Sequence, residues 1–367
     1  LLQGDVGSGK TVVAACSALM TLESGWNVAV MAPTEILAGQ LAANFQRWFA
    51  PLGIVVELRT GTSRPGAATP GLLPRVTVGT HALIQQEAQM DRLGLVVIDE
   101  QHKFGVAQRE ALVRKGRYPH LLVMTATPIP RTLALTLYGD LDVSVVDQPP
   151  AGRGRIRTHL RAPGALPRVW AFVRRELEAG RQAYVVCARV EESEHDELRA
   201  VTREAEAVRA ELAPHAVGVL HGQLPAEEKE SVMAGFRSGA TKVLVATTVV
   251  EVGVDVPNAT VMVVLDAGQF GLAQLHQLRG RVGRAGHESH CILVADQRTD
   301  TARERLQVMA STTDGFELAE ADLRLRGAGE LIGRAQSGLP ALRFGDLQAD
   351  RALVELARGW VKSALAR

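Results

Sequence analysis

Cysteine is scarce in this 367-residue chain, with only Cys16, Cys187 and Cys291, far apart in sequence. That excludes a disulfide framework and any cysteine-based zinc spacing, and it makes a reducing cytoplasm the expected setting. Aromatics are few: four Trp, three Tyr and eight Phe. So small a supply weighs against base stacking along a single nucleic-acid strand. Charge of one sign is not in excess either, 41 basic residues facing 40 acidic ones for a formal charge of +1. Any nucleic-acid surface must therefore be a local patch. No apolar run approaches the ~20 residues that span a bilayer, and no basic, cleavable leader is expected. The first residue is Leu, inside the apolar run that leads to the first motif. On that ground the chain is expected to be a fragment lacking its natural N-terminal part.

The length suffices for two domains, each with its own core. Apolar runs rich in Val, Ile and Leu occur at Asn27–Met31, Val76–Val78, Leu93–Ile98 and Leu121–Met124, separated by segments of helical period. This β/α alternation predicts a mostly parallel, helix-covered sheet. It is interrupted at Gly139–Arg155, where paired prolines and several glycines suit a domain connection. A second series follows at Ala183–Cys187, Ala216–Leu220, Lys242–Ala246, Thr260–Leu265 and His290–Val294. Beyond Asp296 the strand signal fades. Thr301–Ala310 and Leu318–Leu325 read as a helical hairpin around Thr312–Gly315, and Asp350–Ala364 has helical period. The expected divisions are residues 1–145, 146–298, 299–345 and 346–367.

Three runs carry chemistry. GDVGSGKT at Gly4–Thr11 follows a short strand and opens a helix. Gly4, Gly7, Ser8 and Gly9 can turn successive N–H groups toward phosphates; Lys10 can reach the β- and γ-phosphates and Thr11 can offer its hydroxyl to Mg²⁺. DEQH at Asp99–His102 ends an apolar strand. Two carboxylates there must solvate something or cost stability. Asp99 suits the Mg²⁺ shell and Glu100 the orientation or deprotonation of an attacking water. QLRGRVGR at Gln277–Arg284 supplies arginines separated by Gly280 and Gly283. Arg281 and Arg284 are candidate arginine fingers, a device that contributes 10³–10⁵ in rate. Arg279 is expected on the helix surface.

Taken together with MAPTEILAGQ at Met31–Gln40, GTH at Gly79–His81, TATPIPRTLA at Thr125–Ala134, HGQ at His221–Gln223 and ATTVVEVGVDVPNA at Ala246–Ala259, these runs resemble superfamily 2 helicases over nearly the whole chain. The resemblance implies two tandem RecA-like P-loop domains with parallel sheets, followed by a C-terminal helical hairpin. It also implies ATP and Mg²⁺ as cofactors and DNA as partner, with no membrane and a monomeric motor. His102, Thr125, Thr127 and Gln277 would couple hydrolysis to DNA movement, and Gly253 and Asp255 would approach the ribose. Pro33, Thr34, Gly79, Thr80, Thr247 and Thr248 match positions that line the DNA track. A cap or turn role is the competing reading of each threonine. Arg305, Arg326 and Gln336 fall where a translocation motif lies; Ala335 stands where an arginine often precedes that Gln.

Within the superfamily, the chain resembles the duplex-DNA translocases that remodel stalled replication forks. DEQH and EVGVDVP favour them over the transcription-repair coupling translocases, which typically carry DEEH and ETGIDIP. A nucleotide-gated DNA-binding remnant without productive turnover is the third reading. The resemblance also implies an N-terminal wedge domain and an adenine-reading segment, neither present in these 367 residues.

Overall fold

The computed structural model describes residues 1–61, 74–84, 90–100, 104, 106–117, 119–126, 141–148, 154–188, 194–247, 256–284, 286–296, 300–326 and 350–365. The chain divides into two compact units, Leu1–Gln148 with Arg326–Arg367, and Pro149–Leu325.

The first unit is built on strands β1 (Leu2–Gly4), β2 (Asn27–Met31), β3 (Val55–Arg59), β4 (Arg75–Gly79), β5 (Leu93–Ile98), β6 (His120–Thr125) and β7 (Ser144–Val146). They form one sheet in the order β3-β4-β2-β5-β6-β1-β7, every pair parallel. Strands covered on both faces read as unbroken apolar runs, as NVAVM and LGLVVI do. Helix α1 (Lys10–Glu23) buries Leu22 and the small Ala14, Ala15 and Ala18, which let its axis lie close to the sheet. Helix α2 (Glu35–Phe49) starts at Thr34, whose hydroxyl accepts the N–H of Leu37 at 3.4 Å. Helix α3 is Val106–Val113. Two strands of this unit escaped the sequence reading. β3, at the sheet edge, has no fully buried residue, so its apolar signal is thin. β7 lies within the stretch read as a domain connection: Gly4 and Val146 share a register, and the N–H of Ser144 donates to the carbonyl of Leu1 at 2.9 Å.

The second unit repeats the plan with β8 (Ile156–Arg161), β9 (Gln182–Val186), β10 (Val217–Leu220), β11 (Val243–Ala246), β12 (Ala259–Val264) and β13 (Ser289–Val294). Their order is β10-β11-β9-β12-β13-β8, again all parallel. Helices α4 (Leu166–Glu178) and α5 (Glu194–Leu212) cover one face of the sheet, where Val173, Leu177, Val185, Ala205, Leu212 and Val263 form one core. Helices α6 (Ala226–Arg237) and α7 (Leu272–Arg279) follow β10 and β12.

Beyond the last strand, α8 (Asp300–Ser311) and α9 (Gly315–Arg326) make the expected helix pair. Asp314 caps α9, its carboxylate accepting the N–H of Phe316 at 2.7 Å. Helix α8 packs on β8, on the turn Ala267–Gln269 and on α7. The last helix, α10 (Arg351–Leu365), exposes Leu353, Leu356, Trp360 and Val361. Among the described residues no helix is long and apolar enough to cross a membrane.

Candidate functional site

In a parallel sheet every strand delivers its following loop to the same, carboxyl edge. In the first unit that edge receives Asp5–Gly9 after β1, Pro33 and Thr34 after β2, Thr80 after β4, Asp99 and Glu100 after β5, and Ala126 after β6. Residues scattered over more than a hundred positions of sequence are thus collected by topology alone.

The turn after β1 takes its shape from glycine. Gly7 and Gly9 have φ of 78° and 99°, in the left-handed region where a Cβ is strained. Gly4 has no such torsion; a Cβ there would meet Ser8 Oγ at 2.5 Å and the Val146 carbonyl at 3.0 Å. Gly9 is the N-cap of α1 and offers no capping side chain that would compete with a bound anion for the first helix amides. Lys10, 8% exposed, folds its ammonium back onto the loop, donating to the carbonyls of Gly4 and Asp5 at 2.8 Å each. Thr11 is half-buried at the first turn of α1.

At the end of β5, the N–H of Asp99 donates to the Met31 carbonyl at 2.9 Å, and Asp99 Oδ1 accepts the N–H of Glu100 at 3.1 Å. Glu100 has φ 50°, a conformation that costs a non-glycine residue roughly 1–2 kcal/mol. Its carboxylate accepts the N–H of Ala126, the residue following β6, at 3.4 Å. Such strain persists only where the surrounding structure holds it in place. The link joins DEQH to the TAT run, a connection no spacing in the sequence discloses. Thr125 is buried at the end of β6.

Three residues assigned to a DNA track turn inward. A Cβ on Gly79 would collide with the carbonyl of Arg59, so glycine is required there for packing. The hydroxyls of Thr80 and Thr247 are buried without a hydrogen-bond partner among the described residues. Their N–H groups donate to the adjacent strands, to Arg59 O at 3.3 Å and Leu220 O at 3.4 Å. Thr34 is the helix cap described above. Capping accounts for Thr34 and packing for Gly79; neither accounts for the hydroxyls of Thr80 and Thr247, which have no partner among the described residues.

In the second unit, α7 carries Gln277, which is buried, and the loop after it carries Arg281, 4% exposed, and Arg284, whose Nε donates to the Gly280 carbonyl at 3.3 Å. Gly283, at φ 82°, lies against Ile156, and its carbonyl accepts the N–H of Gly154 at 3.0 Å. The loop is thereby pinned to the start of β8.

Arg279 corrects the sequence reading. It is not on the surface: it is 2% exposed. Its Nη1 donates to the carbonyls of Met309 and Thr312 at 2.9 and 2.7 Å, and its Nη2 lies 3.2 Å from His276 Nδ1. The signal was present, since Leu272, Leu275 and Arg279 follow the i, i+3, i+7 spacing of a buried stripe. Arg305 also works within this unit, donating to the Gly268 carbonyl at 2.8 Å. Arg326 closes α9. His102, Thr127, Thr248, Gly253, Asp255 and Gln336 lie outside the described residues.

Two parallel α/β units in tandem, the first with a phosphate-binding loop and a strand-end Asp-Glu pair on one sheet edge, define the core of a superfamily 2 helicase. Family models agree: a DEAD/DEAH box helicase model matches residues 1–136 and a helicase conserved C-terminal domain 168–286. A model described as ATP-dependent DNA helicase RecG, domain 3, C-terminal, matches residues 312–366. The chain is 50% identical over 366 residues to the ATP-dependent DNA helicase RecG of Synechocystis, covering 98% of this chain and 44% of that protein. It is 48% identical to that of Escherichia coli K12, covering 96% and 53%. A structure of RecG bound to a three-way DNA junction superposes with a TM-score of 0.76 at 42% identity, covering 96% of this chain and 47% of that one. Yeast Dbp5, at 19% identity and a TM-score of 0.63 over 89% of this chain and 83% of its own, shares the fold. The chain belongs to the RecG helicases and carries their helicase core. It spans about half the length of the curated relatives it matches. Its helicase domains imply the use of ATP.

Proposed function

We propose that this chain is the motor of an ATP-dependent DNA helicase that translocates on duplex DNA and, in the whole protein, remodels stalled replication forks and branched recombination intermediates. The observation that carries this reading is the gathering of Lys10, Asp99 and Glu100 on one sheet edge, with Glu100 held in a strained conformation by Ala126. Gly4, Gly7, Ser8, Gly9 and Lys10 hold the phosphates. Glu100 orients and deprotonates the attacking water, and Arg281 and Arg284 are the second unit's charges for the transferred phosphoryl group. The hydroxyl of Thr11 and the carboxylate of Asp99 are hard oxygen donors that fit Mg²⁺, which would neutralise phosphate charge there. Gly253 and Asp255 contact the ribose; His102, Thr125, Thr127 and Gln277 couple turnover to movement.

Pro33 and the N-terminus of α2 behind Thr34 are the first unit's phosphate contacts, joined by Thr248, Arg326 and Gln336 further along. Residues 1–145 and 146–298 act as the two motor domains, 299–345 as the lever and 346–367 as a terminal helix. The motor works as a cytoplasmic monomer. Steady-state ATP hydrolysis by the chain alone, with linear duplex and with a model fork, tests the reading. DNA-stimulated turnover that disappears in Lys10→Ala is expected; a folded protein that binds ATP without turnover, with or without DNA, would overturn it and leave a nucleotide-gated remnant.

A further inference from the structure

Between residues 153 and 181 the chain carries eight arginines and two glutamates, a local excess of six positive charges in a chain whose total is +1. The structure concentrates much of this excess along one margin of the second unit. β8 is the last strand of its sheet. Arg155 just before it, and Arg157, His159 and Arg161 within it, alternate along the strand and so share one face. Successive same-face positions are ~6.6 Å apart, comparable with the separation of successive phosphates on a nucleic-acid strand. All three arginines are exposed. Helix α4 extends the patch with Arg168 and Arg175, both exposed, the guanidinium of Arg175 lying 5.1 Å above the Phe172 ring.

Opposing charge comes from Glu288, paired with Arg157, and from Glu176 and Glu178 on α4. His159 and His290 lie 3.3 Å apart at the centre of the patch. His159 is held below its ordinary pKa, first by burial and then by Arg161, with His290 and Arg157 adding and Glu288 opposing. Burial is thus the first cause, and the neighbouring arginines act in the same direction.

We propose that this margin is a docking surface for the phosphate backbone of duplex DNA, separate from the helix termini and loops of the motor motifs. The proposal rests on the reading of the chain as a DNA motor. The bland account of the same residues is that charges on an edge strand only prevent edge-to-edge pairing with a second sheet.

The two accounts separate in the salt dependence of binding. Each phosphate contact contributes ~0.9 to the slope of log K against log salt on B-form DNA. The triple variant R155Q/R157Q/R161Q in the 367-residue chain, checked for fold by circular dichroism and for association by sedimentation, should bind linear duplex with a slope shallower by ~2.7. R161Q alone should flatten it by ~0.9 even if the triple variant fails to fold. R203Q/R209Q, neutralising exposed arginines of α5, should leave it unchanged. Slopes unaltered in the folded triple variant or in R161Q would overturn the proposal, as would equal displacement of duplex by a poly-glutamate peptide, which would assign the margin to an acidic protein. If the unaltered chain bound no duplex at any salt, the DNA reading itself would fail, a distinct result.

Discussion

Replacing Arg279 with methionine removes a guanidinium that satisfies two main-chain carbonyls, at Met309 and Thr312, where α8 ends. Methionine approximates the aliphatic stem, so most of the effect is polar. Leaving a buried acceptor without its donor costs ~1–3 kcal/mol, and charged hydrogen bonds are at the upper end. Two carbonyls, with a contact to His276 lost as well, put the loss at about 4 kcal/mol. For a unit of this size a urea slope of ~2 kcal/mol/M is ordinary, so the unfolding midpoint of the second unit should fall by ~2 M. Hydrogen exchange read by mass spectrometry localises the effect, and amides of Val308–Thr312 should lose protection first. Arg279→Lys, with one ammonium on a flexible stem, should recover part of the loss, because it lacks the planar fork that reaches both carbonyls. A midpoint shift under ~0.5 M in Arg279→Met, with exchange unchanged in α8, would refute the assignment of Arg279 as the tie between α7 and the helix pair.

Glu100→Gln keeps the shape of the side chain but removes its basicity, so ATP binding should persist while turnover falls by at least ~10²-fold; nucleotide titration beside a hydrolysis assay checks both. Gly4→Val places a side chain against Ser8 and Val146 and should abolish nucleotide binding, measured by the same titration. Burial pushes the Cys187 and Cys291 thiols up to about 12, whereas Cys16 is exposed; a thiol reagent at neutral pH should therefore label one cysteine in the folded chain and three in urea. Burial depresses both His159 and His290, so the unfolded chain binds more protons and the second unit should lose stability as pH falls through the ordinary histidine range near ~6.5. His159→Gln/His290→Gln should flatten that dependence in thermal melts at pH 5.5 and 7.5.

Much of this protein could be read from local pattern. The apolar runs located most of the strands because a parallel sheet buried on both faces tolerates few polar positions. The phosphate loop was legible because its glycines answer to backbone torsion and close approach, which depend on immediate neighbours. Strand β7 and the edge strands β3 and β8 were not read: β7 has only three residues, β3 has no fully buried position, and β8, although basic residues alternate along it, has no buried apolar run and follows the stretch taken for a domain connection.

The sequence alone determined which chemical groups exist and at the end of which run each one lies. Tertiary structure decided what those groups face. Register against β6 gave Glu100 the Ala126 amide and a strained backbone; packing of the last helix pair gave Arg279 two carbonyls and took it from the surface. Neighbouring strands likewise turned Thr80 and Thr247 inward, although their motif suggested a phosphate contact. The physical reason is common to all four. A side chain's type and period are local properties, whereas burial and hydrogen-bond partners are set by residues many positions away, which only the folded chain brings within reach.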